Sequence, residues 1–252
     1  MKIIDTHMHY YGGGMLQGEH EAVSLKRLLE IMDQHEIEQA WISSMSAMVQ
    51  NPAGPNSELS AFCRQAPDRL LPFYVINANY SAQSMCDEIK RRREEGGAKG
   101  IKVHPWLGGF PVTHEVMYAC AALCEQLGLP MLFHDGTPPY CDSLQIAALG
   151  ELCPNLNIIL GHAGICDLSH DAISAAEQND HIYLGFCCSQ TGDVERAASR
   201  IRSDRLLFGT DFYGIDTFGT YISNTLGGIL YADLPDDVRQ NILYNNAKAL
   251  IA

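Results

Sequence analysis

Ile3-Ile4-Asp5-Thr6-His7-Met8-His9 opens as an apolar, β-branched strand and closes on two histidines one residue apart. Successive side chains of a strand point to opposite faces, so His7 and His9 project together and can grip one ion. Two imidazoles do not complete a catalytic metal site, which takes about three protein ligands and keeps a position for water. Further ligands are therefore expected at the ends of other strands.

The rest of the chain repeats the opening pattern. Short apolar runs at 2–9, 40–45, 70–77, 100–104, 131–134, 157–162, 181–187 and 205–210 alternate with longer amphipathic segments. Eight such runs are what eight βα units require, which predicts a (β/α)8 TIM barrel formed by residues 1–252 as a single domain. Ser24 caps a helix whose Leu25, Leu28, Leu29 and Met32 make one apolar stripe. Asn56 or Ser57 opens the next helix, and 84–95 carries a third that ends in Arg91-Arg92-Arg93, read as a solvated helix end. Helices at 116–127, 144–153, 172–177, 194–201 and 235–250 complete the alternation. Two glycine-rich connections, 10–19 and 106–111, follow the first and fourth strands, on the side of a barrel where substrate is covered.

Seventeen Lys+Arg against 30 Asp+Glu give a net charge of -13, which repels phosphate backbones and anionic membrane surfaces. Nucleic acid and membrane are thus not expected partners; a small-molecule substrate is. Nine cysteines without a Cys-x-x-Cys pair suit free thiols in a reducing cytoplasm. The first residues run straight into a strand without a charged-then-apolar leader, which again points to the cytoplasm. Apolar helix faces leave room for a homodimer.

Five of the ten histidines stand at predicted strand ends: His7, His9, His104, His134 and His162. In a parallel barrel these ends converge on one mouth, where His7, His9, His134, His162 and Asp211 would meet. Neutral imidazole and carboxylate are the donors a hydrolytic divalent ion takes. His162, between Gly161 and Ala163-Gly164, is open to two roles, metal ligand or holder of the attacking water. Asp211 is read as a ligand or proton shuttle rather than a helix cap. Period-two alternation puts Lys102 and His104 on one inward face, as an anion hook for a substrate carboxylate or, for Lys102, as a carbamate bridging two metals. Trp106 is the favoured substrate contact of the second glycine-rich connection.

Asp5-Thr6-His7-Met8-His9, Pro67-Asp68-Arg69-Leu70, Gly100-Ile101-Lys102-Val103-His104-Pro105, Leu129-Pro130-Met131-Leu132-Phe133-His134, Gly161-His162-Ala163-Gly164, Phe208-Gly209-Thr210-Asp211 and Asn246-Ala247 occur in that order over nearly the whole chain. Together they resemble the amidohydrolase-related metal-dependent hydrolases, in the branch that includes amino-carboxymuconate-semialdehyde decarboxylase. The resemblance implies a barrel of the metallo-dependent hydrolase type with one catalytic divalent ion, zinc in first place and manganese in second. It also implies that His7, His9, His134 and Asp211 bind the ion and that His162 activates its water. Members with a modified strand-four lysine hold two metals, which keeps a carbamylated Lys102 as the alternative.

The sequence reading puts first a metal-dependent hydrolase of a small carboxylated lactone, cyclic amide or ester, with His162 and Asp211 moving protons. Non-oxidative decarboxylation at the same metal site is the alternative, with Lys102 and His104 holding the carboxylate. A non-catalytic metabolite-binding barrel is the third reading.

Overall fold

The computed structural model describes residues 2–12, 24–214 and 221–251. Most of the first glycine-rich connection, including Gly13 and Gly14, and also His20, lies outside them. Eight strands appear where eight were expected: β1 (Ile3–Tyr10), β2 (Ile37–Ser44), β3 (Leu70–Ile76), β4 (Gly100–Val103), β5 (Met131–Phe133), β6 (Ile158–Leu160), β7 (Ile182–Phe186) and β8 (Leu206–Phe208). They pair in parallel in sequence order, β1 to β8, as one sheet. The barrel closes where Thr6 Oγ1 donates to the Phe208 carbonyl at 2.8 Å and the His9 amide to the Phe212 carbonyl at 2.8 Å. This is a TIM barrel.

Alternation along the strands sorts the core into two. Ile4, Trp41, Leu71, Phe73, Leu132, Ile159 and Leu207 form one cluster with Tyr244 and Ala247 from the C-terminal segment. Their strand neighbours Ile3, Ala40, Ile42, Leu70, Met131, Phe133, Leu206 and Phe208 join the larger cluster shared with the helices. The first set fills the barrel interior in layers, with Trp41 and Phe73 stacked at 4.7 Å, so the floor is packed rather than open. Functional groups are left to the other end of the strands.

β1 reconciles both demands through a bulge. Its register runs Asp5 opposite Ala40 and then Met8 opposite Ile42, one residue more on β1 than on β2. A bulge of this kind re-aims the side chains beyond it. Ile4 therefore packs into the interior cluster, while Met8 turns to the outer one.

Several helix expectations are corrected. The second begins at Ala53, not at Asn56 or Ser57. Asn56 is buried within it and exchanges two hydrogen bonds with the Val75 backbone, at 2.9 and 3.1 Å. The third starts at Ala82 on a Ser81 cap, and its arginine run is not uniformly solvated. Arg92 is buried against Glu88 at 2.6 Å and also bonds the Ala53 carbonyl and Ser57 Oγ, because its position on the helix faces the preceding helix. Residues 105–108 form a short helix (Pro105–Gly108) with His104 as its cap. The closing helix is continuous from Asp236 to Leu250 as expected, with a π turn (Asn241–Asn245) between Asp236–Gln240 and Asn246–Leu250. A helix over Tyr221–Leu230 had no counterpart in the sequence reading. No helix among the described residues is long and apolar enough to cross a membrane.

Candidate metal centre

His7 and His9 leave β1 with both Nε2 atoms facing one carboxylate. Asp211 Oδ1 lies 2.8 Å from His9 Nε2 and 3.4 Å from His7 Nε2. One donor atom from each of the three residues falls within 4.8 Å of the others. Asp211 reaches this position from a left-handed backbone (φ 60°), pinned by its amide to the His7 carbonyl at 2.7 Å. A non-glycine residue held there stores strain, as active-site residues often do. Space around His7 is made by two glycines. A Cβ on Gly161 would stand 3.0 Å from the His7 ring, and one on Gly209 would stand 2.8 Å from His7 Cβ.

The far ring atoms fix how these imidazoles point. His9 Nδ1 meets Ser43 Oγ at 3.0 Å, and His7 Nδ1 lies 3.2 Å from Cys187 Sγ and 3.4 Å from the Gly161 carbonyl. A proton on His7 Nδ1 satisfies the carbonyl and leaves the Nε2 lone pair for the site, the orientation a ligand needs. In this structure that lone pair accepts from Lys102 Nζ at 2.7 Å. Lys102 is fully buried, and burial lowers its pKa to about 8. Burial first, and the lysine charge second, hold His7 well below the ordinary imidazole range. Burial alone would raise the Asp211 pKa, but the His9 hydrogen bond and the imidazoles around it bring it far below the usual carboxylate value.

His134 and His162 form the other half of the mouth. His134 Nδ1 and His162 Nε2 are hydrogen-bonded at 2.9 Å, and the His162 ring centre lies 5.0 Å from that of His7. Burial lowers their pKa values to about 2 and about 4, so both are neutral near pH 7. His134 stands outside the His7, His9 and Asp211 grouping. Among the described residues its Nε2 is a buried polar atom with no hydrogen-bond partner. His104 stacks on His134 at 3.9 Å, and Trp106, 52% exposed, lies 6.0 Å from His134 with its ring 23° from parallel. Lys102 and His104 both face inward as expected, but they contact different histidines.

Two buried carboxylates that the sequence reading passed over hold these halves. Asp5 Oδ1 accepts from the His7 amide at 2.9 Å and from the Thr210 amide at 3.1 Å, and its Oδ2 accepts from Thr210 Oγ1 at 2.6 Å, which ties β1 to the chain after β8. Asp135 accepts from the His162 and Gly164 amides, each at 2.7 Å, and from Ser143 Oγ at 3.1 Å, which ties the chain after β5 to the chain after β6. Burial pushes Asp5 up to about 7 and raises Asp135 too. Their sequence signal was adjacency: Asp5 two residues before His7, and Asp135 directly after His134. Ser43 and Cys187 carried no comparable signal.

The donor set fits a divalent ion. Two imidazoles and a carboxylate suit zinc and manganese alike, and His134 Nε2 offers a fourth donor from the adjoining half.

The amidohydrolase family profile matches residues 4–251. Curated protein sequences give no match. Among solved structures, 2,6-dihydroxybenzoate decarboxylase from Rhizobium superposes with a TM-score of 0.75 at 17% identity, over 99% of this chain and 98% of that one. A Polaromonas dihydroxybenzoic acid decarboxylase holding manganese and 2-nitroresorcinol gives 0.73 at 17% identity, over 99% and 96%. A 5-carboxyvanillate decarboxylase from Novosphingobium aromaticivorans, with manganese and 4-hydroxy-3-methoxy-5-nitrobenzoic acid, gives 0.78 at 13% identity, over 99% and 96%.

Proposed function

We propose a reaction for this chain, which belongs to the amidohydrolase family: non-oxidative decarboxylation of a small aromatic carboxylic acid at a divalent metal site. The observation that carries the reading is the pairing of a three-donor cluster, His7, His9 and Asp211, with a wall of rings in which His104 and Trp106 each stack on His134, at 13° and 23°. Flat rings lined up beside a cation site suit a planar substrate that carries its charge at one edge. The decarboxylases of the same fold, with their aromatic ligands, support this order of preference over hydrolysis.

A divalent ion held by His7, His9, Asp211 and the free His134 Nε2 would supply Lewis acidity to bind and polarise the substrate's oxygens. Manganese is the metal of two of the three decarboxylases above, while zinc stays the choice of the sequence reading. The residues of the chain do the rest. Lys102 places a buried positive charge where a carboxylate enters, and Trp106 with His104 holds the ring plane. The bond from ring carbon to carboxylate breaks, carbon dioxide leaves, and the carbon takes a proton. That proton comes from solvent at the mouth, where Asp211 is about one-third exposed and ionised. His162, neutral and buried, orients the polar groups of substrate or water beside it.

Hydrolysis of a lactone, cyclic amide or ester keeps one specific support, a neutral His162 close enough to act as a base on water. Carboxyl-labelled 2,6-dihydroxybenzoate and 5-carboxyvanillate, together with a lactone panel, offered to protein loaded with manganese or zinc, separate the two. Labelled carbon dioxide is expected; a new carboxylate from the lactones with no carbon dioxide would overturn the reading.

A further inference from the structure

Asp135 is fully buried, belongs to neither the donor cluster nor the ring wall, and yet touches the chain on both sides of the β5 to β6 half of the mouth. Its two oxygens receive the amides of His162 and Gly164 at 2.7 Å each, and Ser143 Oγ at 3.1 Å. The turn that supplies those amides is unusual. Ala163 (φ 45°), Gly164 (φ 91°) and Ile165 (φ 41°) are three successive residues with positive φ, two of them not glycine. Amides displayed by such a run converge into a concavity that favours an anion. Here the anion is part of the chain.

Packing confirms how little play the turn has. A Cβ on Gly136 would lie 2.8 Å from the Gly164 carbonyl carbon, and one on Gly164 would lie 2.2 Å from the Leu168 carbonyl oxygen. The two turns therefore sit backbone against backbone, with the Asp135 carboxylate as their common acceptor. His134 is bonded covalently to Asp135, and His162 is bonded to it through its amide. The 2.9 Å contact between His134 Nδ1 and His162 Nε2 closes the ring.

We propose that Asp135, supported by Ser143, is the positioning residue for the His134 and His162 pair, with its carboxylate clamping the left-handed turn that aims His162. It acts through His162 and touches no substrate. The kinetic part of the inference rests on the reading that His162 faces the reacting groups; the placement of the rings does not. Asp135→Asn keeps the size but turns an NH2 group toward an amide donor, so one of the two backbone bonds is lost.

Histidine-ring long-range 1H–15N NMR on metal-free protein reads the placement without turnover, with His134→Asn and His162→Asn used to assign the signals. In Asp135→Asn the ring signals of His134 and His162 are expected to shift while those of His7 and His9 hold. On manganese-loaded protein, kcat is expected to fall by about 10–100-fold, the range seen when groups that orient an active-site histidine are removed, with KM within twofold. Ser143→Ala retains both backbone bonds and decides the matter if the Asn variant does not fold: the same two signals move by less, and kcat falls by about threefold. Unmoved ring signals in the folded variants would overturn the proposal, whatever reaction the enzyme performs. Shifted ring signals with unchanged kcat would leave the clamp standing and sink the reading of His162.

Discussion

The seam between β1 and β8 and the seam between β5 and β6 are built alike and end differently. Each has a fully buried aspartate that gathers backbone amides, Asp5 on one side and Asp135 on the other, and each has a left-handed residue at its rim. On the first seam the aspartate holds the backbone of His7 and Thr210, and a second carboxylate, Asp211, is presented to the mouth. On the second no second carboxylate appears among the described residues, and the two imidazoles bond to each other. A cluster that offers charge is suited to hold an ion. Two neutral imidazoles with one vacant nitrogen are suited to complete and orient what the ion holds.

The contrast breaks most severely if the first seam is emptied. Replacing both His7 and His9 by Ala is expected to remove the bound metal and to cut turnover by about a thousandfold or more, checked by elemental analysis alongside kcat. An active, metal-free double variant would end the division of labour. His162→Asn is expected to lower turnover by about a hundredfold while most of the metal stays bound. Loss of the metal would move His162 to the ligands and merge the seams. His134→Ala, from the border between them, is expected to weaken metal binding by about 10–100-fold without abolishing it, measured by competition with a chelator.

Acid should load the buried imidazoles of both seams without mutation, since His7 too is held well below the ordinary range. His134 and His162 are held by burial at about 2 and about 4, below the ordinary 6.5. Between pH 6.5 and 4 the unfolded chain binds protons that the native chain refuses, so stability present above 6.5 falls as pH drops. The slope approaches roughly 1.4 kcal/mol per pH unit for each such imidazole. Urea unfolding of metal-free protein across that window checks it, and His162→Asn should flatten the slope. Trp106→Ala is the mildest change. With a ring more than half exposed, it should leave stability within about 0.5 kcal/mol and raise KM for an aromatic acid several-fold, read by urea unfolding and initial rates.

The barrel was legible because its signal is periodic: β-branched runs at regular spacing, of which those at 2–9, 100–104, 131–134 and 157–162 end in a histidine and that at 205–210 leads to Asp211. His7, His9, His104, His134 and His162 could be placed at one mouth for the same reason, since strand ends converge whatever the helices do. What escaped was set by tertiary contacts that leave no period. Arg92 reads as one of three solvated arginines until the preceding helix packs on it. Asp5 and Asp135 read as ordinary neighbours of histidines until their carboxylates are seen to face backbone amides. His134 matched the expected strand end, yet it stands outside the His7, His9 and Asp211 grouping, whose carboxylate is brought in by a left-handed residue. The order of the reactions was weighed toward hydrolysis because metal ligands alone do not show what the metal is aimed at; the ring wall that changes that order is built from His104, His134 and Trp106, on different strands and loops.

The extra residue in β1 has a consequence for how this scaffold can change. Below it, Ile4 keeps step with the interior layers; above it, His7 and His9 answer to a separate phase. Substitutions at the mouth need not propagate into the floor, and the floor can be repacked without turning the donors away. The barrel thus has a joint at which chemistry and foundation can be inherited, or engineered, one without the other.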